Sequence, residues 1–265
     1  MNAKRFKNKV VVVTGAAQGI GRAVAISMAK EGAKVGLVDR SELAHEVAEE
    51  IKNENGISFV VLSDMEKYSG AEHFVKEIES NLGPIDIVVN NIGGTIWMKP
   101  YEHYEEDQII AEINRTLYPT LWSCRAVLPG MMSRKSGVIV NVSSAATKGI
   151  HRIPYSAAKG GVNAITSSMA LEYAKDGIRI NAVATGGTEA PPRKIPRNQE
   201  LNPEKELPEQ DKKWIQEVVD SSIESSYMHR YGTLDEQVGA ILFLASDDAS
   251  YITGSVLPVA GGDQG

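Results

Sequence analysis

A single α/β domain, with one doubly wound, mainly parallel sheet and helices on both faces, is the fold this 265-residue chain predicts. Three observations carry the prediction. Strand and helix signals alternate along the chain. The strand signals are nearly unbroken Val and Ile runs rather than apolar–polar alternation, as expected of strands covered on both faces. Parallel strands then need crossover connections, which the intervening helices supply.

The elements follow in order. Val10, Val11, Val12 and Val13 make the first strand. Gly15, Gly19 and Gly21 punctuate the turn into a helix over 19–31. A strand at 35–38, a helix at 42–53, a strand at 58–62, a helix at 70–81 and a strand at 85–89 continue the alternation. Helices at 105–117 and 120–134 lead to a strand at 138–142, a long helix at 155–174 and a strand at 179–183. A helix at 235–245 and a strand at 255–258 complete the series. No repeat or low-complexity segment interrupts it.

Between Gly186 and Pro208 the rhythm breaks. Pro191, Pro192, Pro196, Pro203 and Pro208 are five of the chain's eleven prolines, too many for regular structure throughout. A stiffened excursion directly after a strand end is where an active-site lid belongs, here over about 186–233. The competing reading is a solvated surface insertion.

Bulk properties exclude several function classes. A net charge of -6 leaves no electrostatic footprint for nucleic acid. Lys4, Arg5, Lys7 and Lys9 precede an apolar run too short for a secretory signal, and no stretch reaches the roughly 20 apolar residues of a membrane helix. Cys124 is the lone cysteine, so no internal disulfide forms, and a buried structural thiol in a reducing cytoplasm is expected.

The first glycine turn suits a dinucleotide. Glycine permits positive φ and close backbone approach to a pyrophosphate, and the unpaired N–H groups of the helix start favour its charge. Asp39 ends the second strand, where a carboxylate accepts hydrogen bonds from the adenosine ribose hydroxyls and repels the extra phosphate of NADP. NAD is therefore the expected cofactor, with Arg40 the one residue that argues for NADP. Asp64, after the third strand, is either an adenine contact or a helix cap.

Tyr155 and Lys159 stand four residues apart, so both project from one helix face. Alcohol oxidation needs the hydroxyl proton removed as hydride leaves carbon, and a free tyrosine, with a pKa of about 10, is a poor base at neutral pH. A lysine one turn away, together with a cationic nicotinamide, stabilises the phenolate.

Thr14-Gly15-x3-Gly19-x-Gly21, Asn90-Asn91-x-Gly93, Asn114, Ser143-Ser144 and Tyr155-x3-Lys159 together resemble the short-chain dehydrogenase/reductase family over nearly the whole chain. The resemblance implies a Rossmann fold and makes Tyr155 the general base. It gives Lys159 the roles of tuning Tyr155 and holding the nicotinamide ribose. Ser144, or alternatively Ser143, orients the substrate oxygen, and Asn114 completes a proton relay. Cofactor contacts are implied for Gly15, Gln18, Gly19, Ile20, Gly21, Asn91, Tyr155 and Lys159, with Thr188 a carboxamide contact or a turn cap. The family's usual alanine and Pro-Gly pair are replaced here by Ile92 and Thr185-Gly186. A homotetramer is implied, with the 120–134 and 155–174 helices packing between subunits.

Segments that the general chemistry does not demand, at 93–97, 99–104, 149–155 and 186–193, look like those of dehydrogenases acting on dihydrodiol carboxylates derived from benzoate. The implied substrate is 1,6-dihydroxycyclohexa-2,4-diene-1-carboxylate. An anionic substrate needs a cationic partner, and Arg152 and Arg193 are the leading carboxylate contacts, with His151 and Lys194 in support. Trp97 is a wall against the ring or a core residue. No metal is expected. The alternatives are a dehydrogenase for another aromatic cis-diol or secondary alcohol, and a non-catalytic NAD-binding sensor.

Overall fold

The computed structural model describes residues 4–197 and 207–265. Seven parallel strands, β1 (Val10–Thr14), β2 (Lys34–Asp39), β3 (Ile57–Leu62), β4 (Ile87–Asn90), β5 (Gly137–Ser144), β6 (Ile178–Thr185) and β7 (Val256–Val259), form one sheet. Their order is β3-β2-β1-β4-β5-β6-β7. The helices are α1 (Gly19–Lys30), α2 (Ala44–Asn53), α3 (Tyr68–Leu82), α4 (Glu106–Thr116), α5 (Tyr118–Arg134), α6 (Ile153–Tyr173), α7 (Glu209–Glu224) and α8 (Leu234–Ala245).

The valine run of β1 shows why such a strand lacks alternation. Val11 and Val13 point into one apolar layer with Val24 and Met28 of α1 and Ile241 of α8. Val10 and Val12 point into the opposite layer with Phe74 and Ile78 of α3 and Met131 of α5. Successive side chains leave opposite faces of a strand, so burial on both sides makes every position apolar.

The winding direction reverses between β1 and β4, which pair through Thr14 and Asn90. A crevice opens beyond the carboxyl ends of these two strands, the place where doubly wound sheets bind ligands. Asn91, the residue after β4, braces the turn across it. Its Nδ2 donates to the carbonyls of Thr14 (3.2 Å) and Gly15 (3.1 Å), and its N–H donates to Thr14 Oγ1 (3.1 Å).

The expected elements are all present, and β4 begins at Ile87 rather than 85. Just before it, Asp86 bonds to the neighbouring strand through its side chain as well, its Oδ2 accepting from the Val10 N–H at 2.8 Å. One helix was not expected. α7 lies inside the proline-rich excursion, starting directly after Pro208, with Glu209 and Asp211 in its first turn. Both features favour a helix start. The excursion is also pinned at its base, where Thr188 bridges to Gly232 and the Glu189 N–H donates to the Gly232 carbonyl at 2.8 Å. Part of the expected lid, residues 198–206 with Pro203, lies outside the described residues.

Candidate active site

A buried polar chain holds α6 in place against the sheet. Asn90 Nδ2 donates to Asn141 Oδ1 at 2.9 Å, and Asn141 Nδ2 donates to Thr166 Oγ1 at 2.9 Å. The Thr166 hydroxyl in turn donates to the Val162 carbonyl at 2.8 Å. Buried groups of this kind are costly unless paired, so the chain specifies one docking of α6 on β4 and β5. Ser143 adds to it, with its Oγ within hydrogen-bond reach of Asn163 Oδ1 and the Lys159 carbonyl.

This docking aims the first two turns of α6 at the crevice. Tyr155 and Lys159 are 8% and 3% exposed. The Lys159 Nζ lies 5.9 Å from the Tyr155 ring centroid and donates to the Val142 carbonyl at 2.6 Å. Burial, with Arg197 nearby, pushes the Lys159 ammonium down to about 7.

Two cavities meet at Tyr155, which lines both. The smaller, about 240 Å³, is bordered by Gly15, Gly19, Asp39, Asp64, Asn91 and Lys159. The larger, about 620 Å³, is bordered by Ser144, Arg152, Thr95, Met98, Tyr231 and α7 residues including Val218 and Ser222. Ile20, Thr185, Thr188 and Arg197 also border both.

The smaller cavity fits a dinucleotide. Gly15 and Gly19 have φ of +67° and +60°, and a Cβ on Gly21 would stand 2.1 Å from the Gly15 carbonyl oxygen. A side chain at Gly19 would project into open space, the room a pyrophosphate needs. Asp39 receives the Ala17 N–H on Oδ2 and the Ser41 N–H on Oδ1, each at 3.0 Å. That leaves about two further acceptor sites on its carboxylate. Arg40 is turned toward Glu66, 3.7 Å away, which Arg115 also approaches at 3.2 Å. Asp64 borders this cavity and at the same time caps locally, its Oδ1 accepting from the Glu66 N–H at 3.1 Å. Gln18 also borders it, with Nε2 donating to the Ile195 carbonyl at 3.2 Å.

In the larger cavity the two serines divide their work. Ser143 is tied to α6, whereas Ser144 lines the cavity with Tyr155. Ser144 Oγ accepts from the Ala146 N–H at 3.0 Å and donates over a long 3.4 Å to the Thr185 carbonyl. Arg152 stands at the N-cap of α6. Its terminal NH2 donates to Ser222 Oγ at 3.1 Å, while its buried Nε finds no partner among the described residues. Burial holds its guanidinium below the ordinary value. His151, with φ of +57°, is held beside it by a 2.7 Å hydrogen-bond contact between Nε2 and Glu217 of α7.

Four expected positions differ. Arg193 borders the smaller cavity, within electrostatic reach of Asp39, and not the pocket that holds Arg152. The chain after Thr188 runs back over the glycine turn, which proline stiffness cannot foretell. Lys194 follows it, pairing with Glu46 of α2 at 2.5 Å. Trp97 borders neither cavity; Thr95 and Met98 on either side of it supply the wall. Asn114 lies half-buried on the last turn of α4 and also borders neither. Thr188 borders both, with its hydroxyl donating to the Gly186 carbonyl at 3.1 Å.

Sequence reasoning missed Tyr231, Ser222 and the α7 face. The α7 signal was present, since Trp214, Ile215, Val218 and Val219 recur at helical spacing after Pro208. Cys124 is buried, with its thiol pushed up to about 12 by burial and Asn90 Nδ2 donating to it at 3.4 Å. It is a structural group. No helix among the described residues is long and apolar enough to cross a membrane.

Comparison with known proteins places these features among relatives. The family model described as short chain dehydrogenase matches residues 9–201. A 1,6-dihydroxycyclohexa-2,4-diene-1-carboxylate dehydrogenase of Acinetobacter baylyi is 57% identical, with 100% of this chain and 99% of the relative covered. An enzyme of the same name from Pseudomonas putida is 55% identical, covering 99% of this chain and 95% of the relative. The crystal structure of levodione reductase superposes with a TM-score of 0.85 at 30% identity, covering 98% and 99% of the two chains.

Proposed function

The chain belongs to the short-chain dehydrogenase family, and from that premise we propose that it oxidises 1,6-dihydroxycyclohexa-2,4-diene-1-carboxylate to catechol with loss of carbon dioxide, within benzoate degradation. The observation that carries this reading is the position of Tyr155. It borders both a glycine-walled cleft suited to a dinucleotide and a pocket lined by the half-buried Arg152.

Nicotinamide is the cofactor class, and NAD the specific form. Asp39 keeps acceptor capacity for two ribose hydroxyls, and its charge opposes a 2′-phosphate. Arg40 has Glu66, 3.7 Å away, as a competing partner for its charge. Gly15, Gly19 and Gly21 would admit the pyrophosphate to the start of α1, and Lys159 would hold the nicotinamide ribose. When bound, the nicotinamide accepts a hydride from the secondary carbinol.

This chain's own residues manage the proton and the orientation. Tyr155 takes the hydroxyl proton, and the Lys159 ammonium one turn away stabilises the phenolate. Ser144 trades its long contact to Thr185 for a hydrogen bond to the substrate oxygen. Arg152, which lines this pocket, presents its terminal guanidinium nitrogens to the carboxylate. The product of oxidation is a ketone β to that carboxylate, which loses carbon dioxide as the ring becomes aromatic. The protein need perform only the oxidation.

The test is to mix the protein with the diol acid and NAD or NADP, following absorbance at 340 nm together with catechol. NADH and catechol appear in equal amounts, and NAD is preferred over NADP by about a hundredfold in kcat/KM, the scale of an unpaired like-charge contact. A preference for NADP reverses the reading of Asp39, and absence of catechol removes the substrate assignment.

The two arginines separate under alanine substitution. Arg152→Ala raises KM for the diol acid by about ten- to a hundredfold, the range for losing a charge-assisted contact. Arg193→Ala leaves that KM within about twofold and changes KM for NAD instead, because it touches the other cavity. The reverse pattern in steady-state kinetics refutes the assignment of pockets. The family resemblance suggests a homotetramer in the cytoplasm, and exposed Leu171 on α6 and Met132 on α5 lie on the two helices expected to pack between subunits.

A further inference from the structure

Glu112 of α4 is fully buried, at 0% exposure, and no step of the reaction uses it. Burial raises its carboxyl above the ordinary range. One oxygen, Oε1, accepts from two consecutive backbone groups, the Ile96 N–H at 2.7 Å and the Trp97 N–H at 3.0 Å. The other, Oε2, has no partner among the described residues. A buried carboxyl is costly to retain unless its bonds do something specific.

What it holds is the wall of the larger cavity. Ile96 and Trp97 lie between Thr95 and Met98, both of which line that pocket. The same strip is stitched to the loop that carries Arg152. The Lys99 N–H donates to the His151 carbonyl at 2.8 Å, and the Tyr104 hydroxyl donates to the Trp97 carbonyl at 2.7 Å with the His151 carbonyl 3.3 Å away. Glu112 therefore anchors one side of a two-loop frame whose other side presents Arg152 and leads into Tyr155.

We propose that Glu112 is a positioning residue that sets the separation between the Thr95–Met98 wall and Arg152, and so the affinity for the diol acid, through its reach to the Ile96 and Trp97 amides. This rests on the assignment of the larger cavity to the substrate. Reach matters and charge does not. A carboxamide of the same length keeps one acceptor oxygen for both amides and places its nitrogen where Oε2 has no partner to lose. An aspartate keeps the carboxylate but falls one methylene short.

The test compares E112Q with E112D in the full protein. E112Q keeps KM for the diol acid, kcat and NAD affinity within about twofold of the unsubstituted protein. E112D raises KM for the diol acid about tenfold, while kcat and the fluorescence-measured Kd for NAD stay within about twofold. Amide hydrogen exchange at Ile96 and Trp97 is slow in E112Q and faster in E112D, a readout that needs no substrate. An unchanged KM in E112D, an equal loss of NAD affinity, or an E112Q as impaired as E112D overturns the proposal. Altered exchange in E112D with no oxidation of the diol acid by the unsubstituted protein overturns the substrate assignment, and with it the link to affinity.

Discussion

Tyr155→Phe lowers kcat by about three to four powers of ten, the contribution expected of a positioned acid–base group, and leaves the Kd for NAD within a few-fold. The change is confined to one atom. Tyr155 is packed at 8% exposure where it borders both cavities, so the phenyl ring keeps its place and only the hydroxyl is lost. Ser144 and Arg152 remain to bind the diol acid, so KM changes far less than kcat. Single-turnover NADH formation measures the first effect and fluorescence titration the second. Residual turnover above about a tenth of the original removes Tyr155 from proton transfer.

Lys159→Met has the second largest effect, lowering kcat by about two to three powers of ten and also weakening NAD binding, because one ammonium serves the phenolate and the ribose. Arginine does not restore it. The Nζ occupies a tight slot, donating to the Val142 carbonyl at 2.6 Å, and even a Cβ on Gly93 would stand only 3.2 Å from it. A guanidinium is wider than that slot, so the extra width is paid for in packing.

The same substitution changes how stability depends on pH. Burial holds the folded Lys159 down to about 7 from the ordinary 10.5, so between those values the unfolded chain binds a proton that the folded chain lacks. Stability from this group therefore rises with pH across that window, by up to about 1.4 kcal/mol per unit, and is lowest below pH 7. In K159M the rise is absent. Denaturant midpoints of the two proteins at pH 6, 7, 8 and 9 converge as pH increases if this holds. Parallel curves refute it.

Much of this was legible without coordinates because it is local. The central strands carry runs of Val and Ile, such as Val10–Val13 in β1 and Ile87–Val89 in β4, as burial on both faces requires. Tyr155 and Lys159 share a face by helical spacing alone, and Gly15, Gly19 and Gly21 mark a turn that no Cβ-bearing residue at 21 would allow. Asp39 sits at a strand end for the same reason of spacing. α7 was legible too, but the prolines before it dominated the reading of that segment.

Pocket membership was another matter. Arg152 and Arg193 carry the same charge in equally polar surroundings along the chain, yet one borders the substrate pocket and the other the cofactor cleft. Trp97 had the residue type of a ring wall, but its neighbours Thr95 and Met98 face the cavity instead. Glu112 shares α4 with the exposed acids Glu106 and Asp107, yet it alone of the three is fully buried, with Oε1 accepting from two backbone amides. The sequence by itself determined the doubly wound sheet, the glycine turn and the Tyr155–Lys159 pair, since these follow from periodicity over a few residues. Tertiary structure alone decided which loop lies against which cavity. A loop's destination depends on contacts with residues tens of positions away, such as Thr188 with Gly232 or Lys99 with His151, and no local pattern records them.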